Sequence, residues 1–421
     1  MAHGNGILTS DVLARINRPT SAAVSLPNAC YTDDGFLALE RERLFLDQWI
    51  CVAVQSQVPN PGDVLPVSIA GLPAVVLRDR QGQLRAYHNV CRHRGMQLVS
   101  APEQKKRVLV CPYHSWTYGL DGSLQQTPHF EGEGRHEPTA FDKCDMGLEP
   151  IRLDTWHDLI FLNVSGKAGA LAEEFKGLDL RWKDYDLSQL RYDKTVQFEL
   201  KANWKLAVEN FLESYHLPWA HPALNSFSRM EDHACIMEPR YFGQLSYAYN
   251  SASAGHGALP TFKAMPSDWQ KRAEYPTFMP NLMLGIHPDH FFVFTAEPDG
   301  PGRTRESFHF YFVGDAAMTP EMAAGRARVI ESWGSINRED IYVVEGMQVG
   351  RHSPAYRDAR FSPHHEPTTH EFQRRVANIV AGNIKGILLN RQVNGSIKSL
   401  SASLDDKLQS NDVVYVKTAV F

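Results

Sequence analysis

Two short segments of the chain each place one cysteine and one histidine at close spacing. The first, "NVCRHRGMQL", holds Cys91 and His93, and the second, "VCPYHSWTY", holds Cys111 and His114. Two thiolates and two imidazoles could bind a tetrahedral zinc ion. They could also bind a two-iron, two-sulfide cluster in which the cysteines hold one iron and the histidines hold the other. Four unconnected buried side chains would be the alternative without function, and the repeated pairing argues against it.

The order of the ligands distinguishes zinc from an iron–sulfur cluster. Zinc fingers usually keep like ligands together, with a cysteine pair followed by a histidine pair. Here each segment supplies one cysteine and one histidine, which suits a cluster held between two loops. Gly95 and Pro112 would let both loops turn tightly and direct backbone amides at the sulfides, and such hydrogen bonds raise the reduction potential. The pattern therefore favours an iron–sulfur cluster.

A second candidate metal site lies in "NWKLAVENFLESYHLPWAHP". If this segment is helical, Glu213 and His216 share one face because they are three residues apart. We expect the helix to end at Leu217, since Pro218 follows it. His221 could then fold back to the same metal. From these residues alone, an ordinary helix end with polar side chains is the favoured interpretation, because pairs of histidines are common.

The succession of "CRHRG" and "CPYHSWTY" resembles the cluster motif of the Rieske non-heme iron oxygenases. The resemblance implies that Cys91, His93, Cys111 and His114 bind a [2Fe–2S] cluster. One departure is Ser115, which stands where most members of the family have glycine. Because Ser115 is not a ligand, this departure concerns the geometry of the loop and leaves cluster binding intact.

The resemblance extends to the second site, where "NWK", "EN", "YH" and "HP" match the catalytic motif of the family. It implies that His216 and His221 bind a mononuclear Fe(II), with an acidic third ligand far downstream. Asp340, in "NREDIYVVEGMQVG", is the expected ligand, and Glu339 and Glu345 compete with it for this role.

A further histidine-rich segment, "HHEPTTH", contains His364, His365 and His370. No suitable pattern of carboxylates surrounds it. We therefore expect surface histidines and one histidine that packs a helix.

Glu213 bears on both electron transfer and substrate. Many aromatic dioxygenases of the family have aspartate at this point, where it joins a cluster-binding histidine of one subunit to the iron-binding histidine of its neighbour. The resemblance implies the same bridge here, from His93 or His114 through Glu213 to His216. With glutamate at this point, the chain resembles the members of the family that oxidise quaternary amines such as carnitine and betaines.

Three regions are expected to position these residues. Residues 1–45 predict an N-terminal arm with a helical end, packed on the catalytic domain. Residues 46–165 predict an all-β Rieske [2Fe–2S] domain, because short β-rich runs such as "LPAVVLRD" alternate with turns. Residues 166–421 predict a region that mixes strands, as in 279–314, with helices, and the resemblance implies that it is the catalytic mononuclear iron domain. The expected fold class is α+β, with an antiparallel sheet flanked by helices in a helix-grip-like arrangement.

Composition and charge exclude several classes of protein. The chain of 421 residues has a net charge of −5, whereas nucleic-acid-binding proteins usually carry a basic excess. It has no apolar run of about 18 residues, so no membrane span is expected. The six cysteines lack framework spacing, and the N-terminus lacks the pattern of a secretory signal. We therefore expect a cytoplasmic protein that binds neither nucleic acid nor membrane.

As a function, the resemblance implies the terminal oxygenase (alpha) subunit of a monooxygenase or dioxygenase. It would use O2 and electrons from NAD(P)H to hydroxylate a small organic molecule. Neither a flavin fingerprint nor a plant-type cysteine run is present in the sequence, so a separate flavin- or ferredoxin-type reductase is required. The resemblance also implies a head-to-tail homotrimer, to which a small beta subunit could be added.

Two substrates remain open at this point. Glu213 favours an N-methyl quaternary amine, with monooxygenation leading to demethylation, and aromatic ring hydroxylation is the alternative. An N-methyl cation would favour an aromatic cage, for which the candidates are Phe211, Trp219, Phe227, Tyr247 and Phe291. Alternatives of another class are a Rieske electron carrier without oxygenase activity and a zinc-binding interaction protein.

Overall fold

The computed structural model describes residues 6–250, 259–263 and 265–382, together with the backbone of three strands beyond them. The predicted region 166–421 is therefore described in part, and its remaining residues lie outside the described ranges. Within these ranges, no helix combines the length and the apolar character that a bilayer crossing requires.

The described part of the N-terminal arm, residues 6–45, contains three short helices and one π-helical turn. The helices are α1 (Ser10–Ile16), α2 (Ala29–Thr32) and α3 (Asp34–Glu40), and the turn spans Arg41–Phe45. Asp33 caps α3, because its carboxylate accepts a hydrogen bond from the Phe36 amide at 2.8 Å. The helical end that the apolar spacing predicts is thus present.

The region between residues 46 and 165, all of which the structure describes, contains nine strands and no α-helix. The strands are β1 (Ile50–Val54), β2 (Val64–Ile69), β3 (Leu72–Arg78), β4 (Leu84–His88), β5 (Val108–Val110), β6 (Thr117–Gly119), β7 (Leu124–Gln126), β8 (Arg152–Trp156) and β9 (Leu159–Asn163). They form three antiparallel sheets with the orders β1-β9-β8, β2-β3-β4 and β5-β6-β7. The all-β prediction for this region is confirmed.

The remainder of the chain is built on a large antiparallel sheet with helices. The helices are α4 (Leu171–Arg181), α5 (Trp204–Phe211), α6 (Leu217–Ala220), α7 (Pro222–Asn225), α8 (Gly314–Ala317), α9 (Ala323–Gly350) and α10 (Pro367–Val380). The strands are β10 (Leu190–Leu200), β11 (His233–Met237), β12 (Tyr241–Ser246), β13 (Ala273–Phe278), β14 (Leu282–Ile286), β15 (His290–Pro298), β16 (Thr304–Val313), β17 (Ile387–Val393), β18 (Ser396–Ala402) and β19 (Asp412–Val416).

Seven of these strands form one sheet in the order β10-β16-β15-β14-β13-β12-β11, and β18-β17-β19 form a second. Side chains alternate between the two faces of the large sheet. On β16, Phe308, Phe310 and Phe312 pack into the core shared with α5, α9 and the N-terminal arm. Tyr311 and Val313 face the opposite core, which includes residues of α4. The expected antiparallel sheet flanked by helices is confirmed.

A buried ion pair ties the N-terminal arm to α5, the helix that leads into the second candidate metal site. Lys205 Nζ lies 2.7 Å from Glu40 Oε1, and neither side chain is exposed. The indole nitrogen of Trp204 donates a second hydrogen bond to Glu40 Oε2 at 3.0 Å. Removing one partner of such a pair leaves an uncompensated charge in the core, and this costs more than the pair contributes.

Replacing Glu40 with glutamine is therefore expected to destabilise the protein by about 3–5 kcal/mol, because the Lys205 ammonium loses its counter-charge. Thermal unfolding of the metal-loaded protein, followed by circular dichroism, would measure the change. Glu42→Gln is the matched control, since Glu42 is exposed on the same segment. Equal unfolding midpoints for the two variants would contradict a structural role of the pair.

Candidate metal centres

The two cysteine–histidine loops have the same backbone geometry. In the first loop, the Gly95 amide donates to the Cys91 carbonyl at 2.9 Å, and in the second the Ser115 amide donates to the Cys111 carbonyl at 3.0 Å. Both Gly95 and Ser115 are left-handed, with φ of 74° and 56°. Glycine adopts this conformation freely, whereas for serine its conformational free energy is about 1–2 kcal/mol higher. Ser115 therefore preserves the loop geometry that glycine would provide.

The four predicted cluster ligands lie in these loops, with the sulfurs inside and the imidazoles outside. Cys91 and Cys111 are buried in the core of the β domain, and His114 is exposed. The rings of His93 and His114 are 4.7 Å apart between centroids. Tyr118 Oη lies 3.3 Å from Cys91 Sγ, so that a hydroxyl is placed against the sulfur. The structure brings the two histidines together at the edge of the domain.

His93 provides a direct indication that the loops hold a metal group. Its ring stacks on Trp116 with centroids 4.8 Å apart, and its Nδ1 is buried without a hydrogen-bond partner among the described residues. Burial lowers the pKa of His93, and the nearby His114 and Arg94 lower it further. A buried imidazole nitrogen that no protein group contacts is suited to bind a metal, and the four residues fit a [2Fe–2S] cluster.

The second site departs from the helix that we expected through Leu217. Helix α5 already ends at Phe211, and Glu213 lies in the turn after it. The Glu213 carboxylate accepts hydrogen bonds from the backbone amides of Tyr215 and His216, so it stabilises the non-helical segment between α5 and α6. Pro218 does not end a helix but lies in the first turn of α6, where its missing N–H costs nothing. That part of the prediction was wrong.

His216, His221 and Asp340 nevertheless converge. His221 Nε2 lies 2.7 Å and His216 Nε2 lies 3.6 Å from the same oxygen, Asp340 Oδ1. One potential ligand atom from each residue lies within 4.8 Å of the others. Two histidines and one carboxylate with open positions are the ligand set of non-heme Fe(II) oxygenases.

Each histidine of this triad is oriented by a second carboxylate. Glu213 Oε1 lies 2.6 Å from Nδ1 of His216, and Glu339 Oε2 lies 2.6 Å from Nδ1 of His221. A carboxylate at Nδ1 holds a proton on that nitrogen, so that each ring turns Nε2 to the centre. Both histidines therefore have the orientation of metal ligands.

The charges at the centre also fit a cation. Burial opposes protonation of His221, but the hydrogen bonds and charges of Asp340 and Glu339 prevail and raise its pKa to about 8. The site formed by His216, His221 and Asp340 thus attracts positive charge, which a divalent metal ion would supply in place of the proton.

Glu339, one of the acids considered as the third iron ligand, does not face the centre of the site as Asp340 does. It contacts the outer nitrogen of His221, while its neighbour Asp340 faces the centre. Glu345 accepts a hydrogen bond from the Lys201 amide at 2.9 Å. The role of Glu339 was missed, although the adjacent "ED" pair on one helix could have indicated that two acids reach the same histidine.

Replacing Glu339 with glutamine is expected to weaken binding of the mononuclear iron roughly 10- to 100-fold, because such outer partners orient the ligand and raise its basicity. Titration of the iron-depleted site with Fe(II) under anaerobic conditions would measure this affinity. Glu345→Gln, on the same helix, is the control and should bind iron like the unmodified protein. An unchanged affinity in Glu339→Gln would show that its contact with His221 is incidental.

The histidines of "HHEPTTH" are placed as expected. His364 is exposed, and His365 stacks on Tyr215 with ring centroids 4.6 Å apart. His370 is buried on α10, where Nε2 contacts the Ile16 carbonyl at 2.8 Å and Nδ1 contacts Thr20 at 3.0 Å. This segment therefore packs α10 against the N-terminal arm.

A cavity beside Asp340 lies between the large sheet and helices α5 and α9. Its volume, measured as the space open to the centre of a water-sized sphere, is about 40 Å³. Its aromatic lining comes from Phe211, Phe292, Phe294, Phe308 and Trp333. Cavities of this kind, with an apolar lining and a few polar groups, commonly bind small molecules.

Four of the five aromatic residues expected to form a cage do not line this cavity. Trp219 and Tyr247 are 71 % and 59 % exposed. Phe227 packs on Tyr249, with ring centroids 5.8 Å apart. Phe291 belongs to the core on the opposite face of the sheet. Its strand neighbours at positions 292 and 294 line the cavity instead, because side chains alternate along β15.

Comparison with known proteins supports the same assignment for both parts of the chain. A family model described as "Rieske [2Fe-2S] domain" matches residues 48–138, and one described as "Ring hydroxylating alpha subunit (catalytic domain)" matches residues 187–382. The carnitine monooxygenase oxygenase subunit of Escherichia coli is 29 % identical over 340 residues, which cover 80 % of this chain and 86 % of that protein.

Two further proteins extend the comparison. The glycine betaine monooxygenase oxygenase subunit of Pseudomonas aeruginosa is 26 % identical, with 85 % of this chain and 88 % of that protein covered. A solved structure of a quaternary ammonium Rieske monooxygenase superposes with a TM-score of 0.74 at 26 % identity, over 88 % of this chain and 98 % of the other.

These likenesses confirm the α+β fold class and the cofactors that the resemblance implied. The cofactors are a [2Fe–2S] cluster and Fe(II), with O2 as co-substrate and electrons supplied by a separate reductase. The chain therefore belongs to the Rieske non-heme iron oxygenases and is a terminal oxygenase subunit that acts on a small molecule.

Proposed function

We propose that this oxygenase hydroxylates an N-methyl group of a quaternary amine, which then loses the methyl group as formaldehyde. The observation that carries the proposal is the aromatic-lined cavity that ends at Asp340. Aromatic faces attract quaternary ammonium groups through their negative quadrupole. The relatives named as carnitine and glycine betaine monooxygenases support the same substrate class.

The site residues form two metal-binding sets. We infer that Cys91, His93, Cys111 and His114 hold the [2Fe–2S] cluster, and that the Fe(II) is held by His216, His221 and Asp340. When bound, the cluster supplies single electrons and the Fe(II) activates O2 for insertion into a C–H bond.

The remaining roles belong to the protein itself. Glu213 and Glu339 hold the Nδ1 protons of His216 and His221, and thereby keep both Nε2 atoms turned to the centre. The aromatic walls of the cavity exclude water and orient the ammonium group, so that one methyl group lies next to Asp340. The reaction consumes O2, two electrons and two protons, and it yields water and a carbinolamine that breaks down to the demethylated amine.

A head-to-tail homotrimer would complete the electron path. Among the described contacts, Glu213 bonds to His216 and to neighbouring amides, not to the cluster histidines of its own chain. His114 is exposed and available to another molecule. We propose that His93 or His114 of one subunit meets Glu213 of the next, and this contact needs no beta subunit. The functional units in this proposal are the arm 1–45, the Rieske domain 46–165 and the catalytic domain 166–421.

Oxygen uptake with a generic reductase, measured across carnitine, glycine betaine, choline and aromatic acids, tests the proposal. We expect O2 consumption coupled to formaldehyde release with a quaternary amine, and uncoupled or absent uptake with the aromatic acids. Coupled formation of a hydroxylated ring would instead establish aromatic hydroxylation.

A further inference from the structure

The cavity beside Asp340 contains a buried acidic side chain that has no role in the proposed reaction. Glu306 lies on β16, on the same face as Phe308, and only 2 % of it is exposed. It lines the cavity together with Asp340 and Asn337 of α9. A carboxyl group in an apolar cavity is costly unless a hydrogen bond or an opposite charge compensates it.

The contacts of Glu306 leave it without a cationic partner. Asn337 Nδ2 donates a hydrogen bond to Oε2 at 2.8 Å. Among the described residues, no lysine, arginine or histidine forms an ion pair with Glu306. Burial raises the pKa of Glu306 to about 8, and the charge of Asp340 adds to this effect. The local structure thus lacks the positive charge that would stabilise the carboxylate.

A rigid aromatic wall completes the surroundings of this carboxyl group. Phe294 stacks on Phe308 with ring centroids 4.1 Å apart. The indole nitrogen of Trp333 donates to His290 Nε2 at 2.9 Å, and His290 Nδ1 contacts Asp289 at 2.7 Å. The aromatic faces can attract a cation, but they also accept a neutral group of the same shape. A carboxylate discriminates more strongly between the two, because its interaction with the charge is direct.

We propose that Glu306 is a specificity-determining residue whose carboxylate provides the counter-charge for the ammonium group of the substrate. The cavity would then select a cation over a neutral molecule of equal shape, with the ammonium nitrogen held between Glu306 and Asp340. This inference rests on the proposed function, since it assumes a quaternary amine in this cavity.

Two pairs of probes that differ only in charge at one atom test the inference. Choline is paired with 3,3-dimethylbutan-1-ol, and glycine betaine with 3,3-dimethylbutanoate, so that a tert-butyl group replaces trimethylammonium. Isothermal titration under anaerobic conditions measures the dissociation constants for the holoprotein. We expect the unmodified protein to prefer the ammonium member of at least one pair, and Glu306→Gln to reduce this preference at least about tenfold.

Two further variants separate charge from structure. Glu306→Asp retains the charge and should keep the preference for the ammonium probe, even if Glu306→Gln is too unstable to titrate. Glu297→Gln is the matched control, because Glu297 is a partly buried acid on β15 that lines a different cavity, and it should discriminate like the unmodified protein.

The outcomes distinguish the two proposals. If Glu306→Gln retains the full preference, or Glu306→Asp loses it while still binding iron, the inference about Glu306 is wrong and the proposed function stands. If the unmodified protein binds neither ammonium probe, the inference about Glu306 is wrong, and oxygen uptake with carnitine decides whether the proposed function fails with it. A selective loss in Glu306→Gln, with Glu297→Gln unaffected, would support them together.

Discussion

Glu213→Gln is expected to retain the cluster and, when supplied with saturating Fe(II), the mononuclear iron, and to lose turnover by roughly 100-fold. Glutamine preserves the shape of the side chain, but it removes the negative charge that holds the proton on Nδ1 of His216. Glu213 Oε1 lies 2.6 Å from that nitrogen. The same carboxylate is the proposed contact for the cluster histidine of the next subunit. Steady-state product formation and NADH consumption, compared with iron content, would measure the effect.

Glu213→Asp provides the control for this variant. It keeps the charge and shortens the side chain by one methylene, as in the aromatic dioxygenases that carry aspartate at this point. We expect it to retain more turnover than the glutamine variant. Full activity of Glu213→Gln, with NADH consumption matched to product, would exclude Glu213 as the bridge.

Asp340→Asn is expected to lose the mononuclear iron while the cluster remains. Iron content should fall from about three to about two atoms per chain, because the three-residue site loses its anionic ligand and the two-iron cluster is held elsewhere. The protein should stay red-brown, and product formation should fall below detection. Metal analysis together with the visible absorption spectrum would show both effects.

Glu345→Gln serves as the control for Asp340→Asn, since Glu345 lies on α9 but contacts the Lys201 amide. It should keep all of its iron. Retention of the third iron in Asp340→Asn would show that another residue provides the ligand.

The cluster loops were predictable from the sequence because their geometry is local. Cys91 and His93 lie on one tight turn, as do Cys111 and His114, and the spacing of the ligands already determines how each loop must fold. Ser115 illustrates the limit of that prediction. Its left-handed backbone, with φ of 56°, explains why glycine is favoured at this position, and the structure shows that the serine adopts the same conformation.

The break after α5 could not be predicted from apolar spacing. The periodic pattern continues past Phe211, and Pro218 looked like the end of a helix. Beyond the end of α5, the Glu213 side chain accepts hydrogen bonds from the amides of Tyr215 and His216. Its other oxygen contacts the ring of His216, so this turn depends on side-chain contacts that apolar spacing does not report.

The cavity was mispredicted because its walls come from distant parts of the chain. The cage candidates were chosen by their location in the sequence, whereas the lining comes mainly from β15, β16 and α9. A period of two along β16 places Glu306 and Phe308 on one face, and this signal was present in the sequence. Which face would meet α9 depends on the packing of the whole sheet.

A single-turnover reaction tests most directly whether this one chain is a complete oxygenase. The holoprotein would be reduced chemically, freed of the reductant, and mixed with O2 and a quaternary amine without any reductase. If the cluster and the Fe(II) work together as proposed, demethylated product should form in an amount proportional to the chain. An electron carrier would instead reoxidise its cluster without forming product. This result would have to hold for carnitine, glycine betaine, choline and the aromatic acids alike.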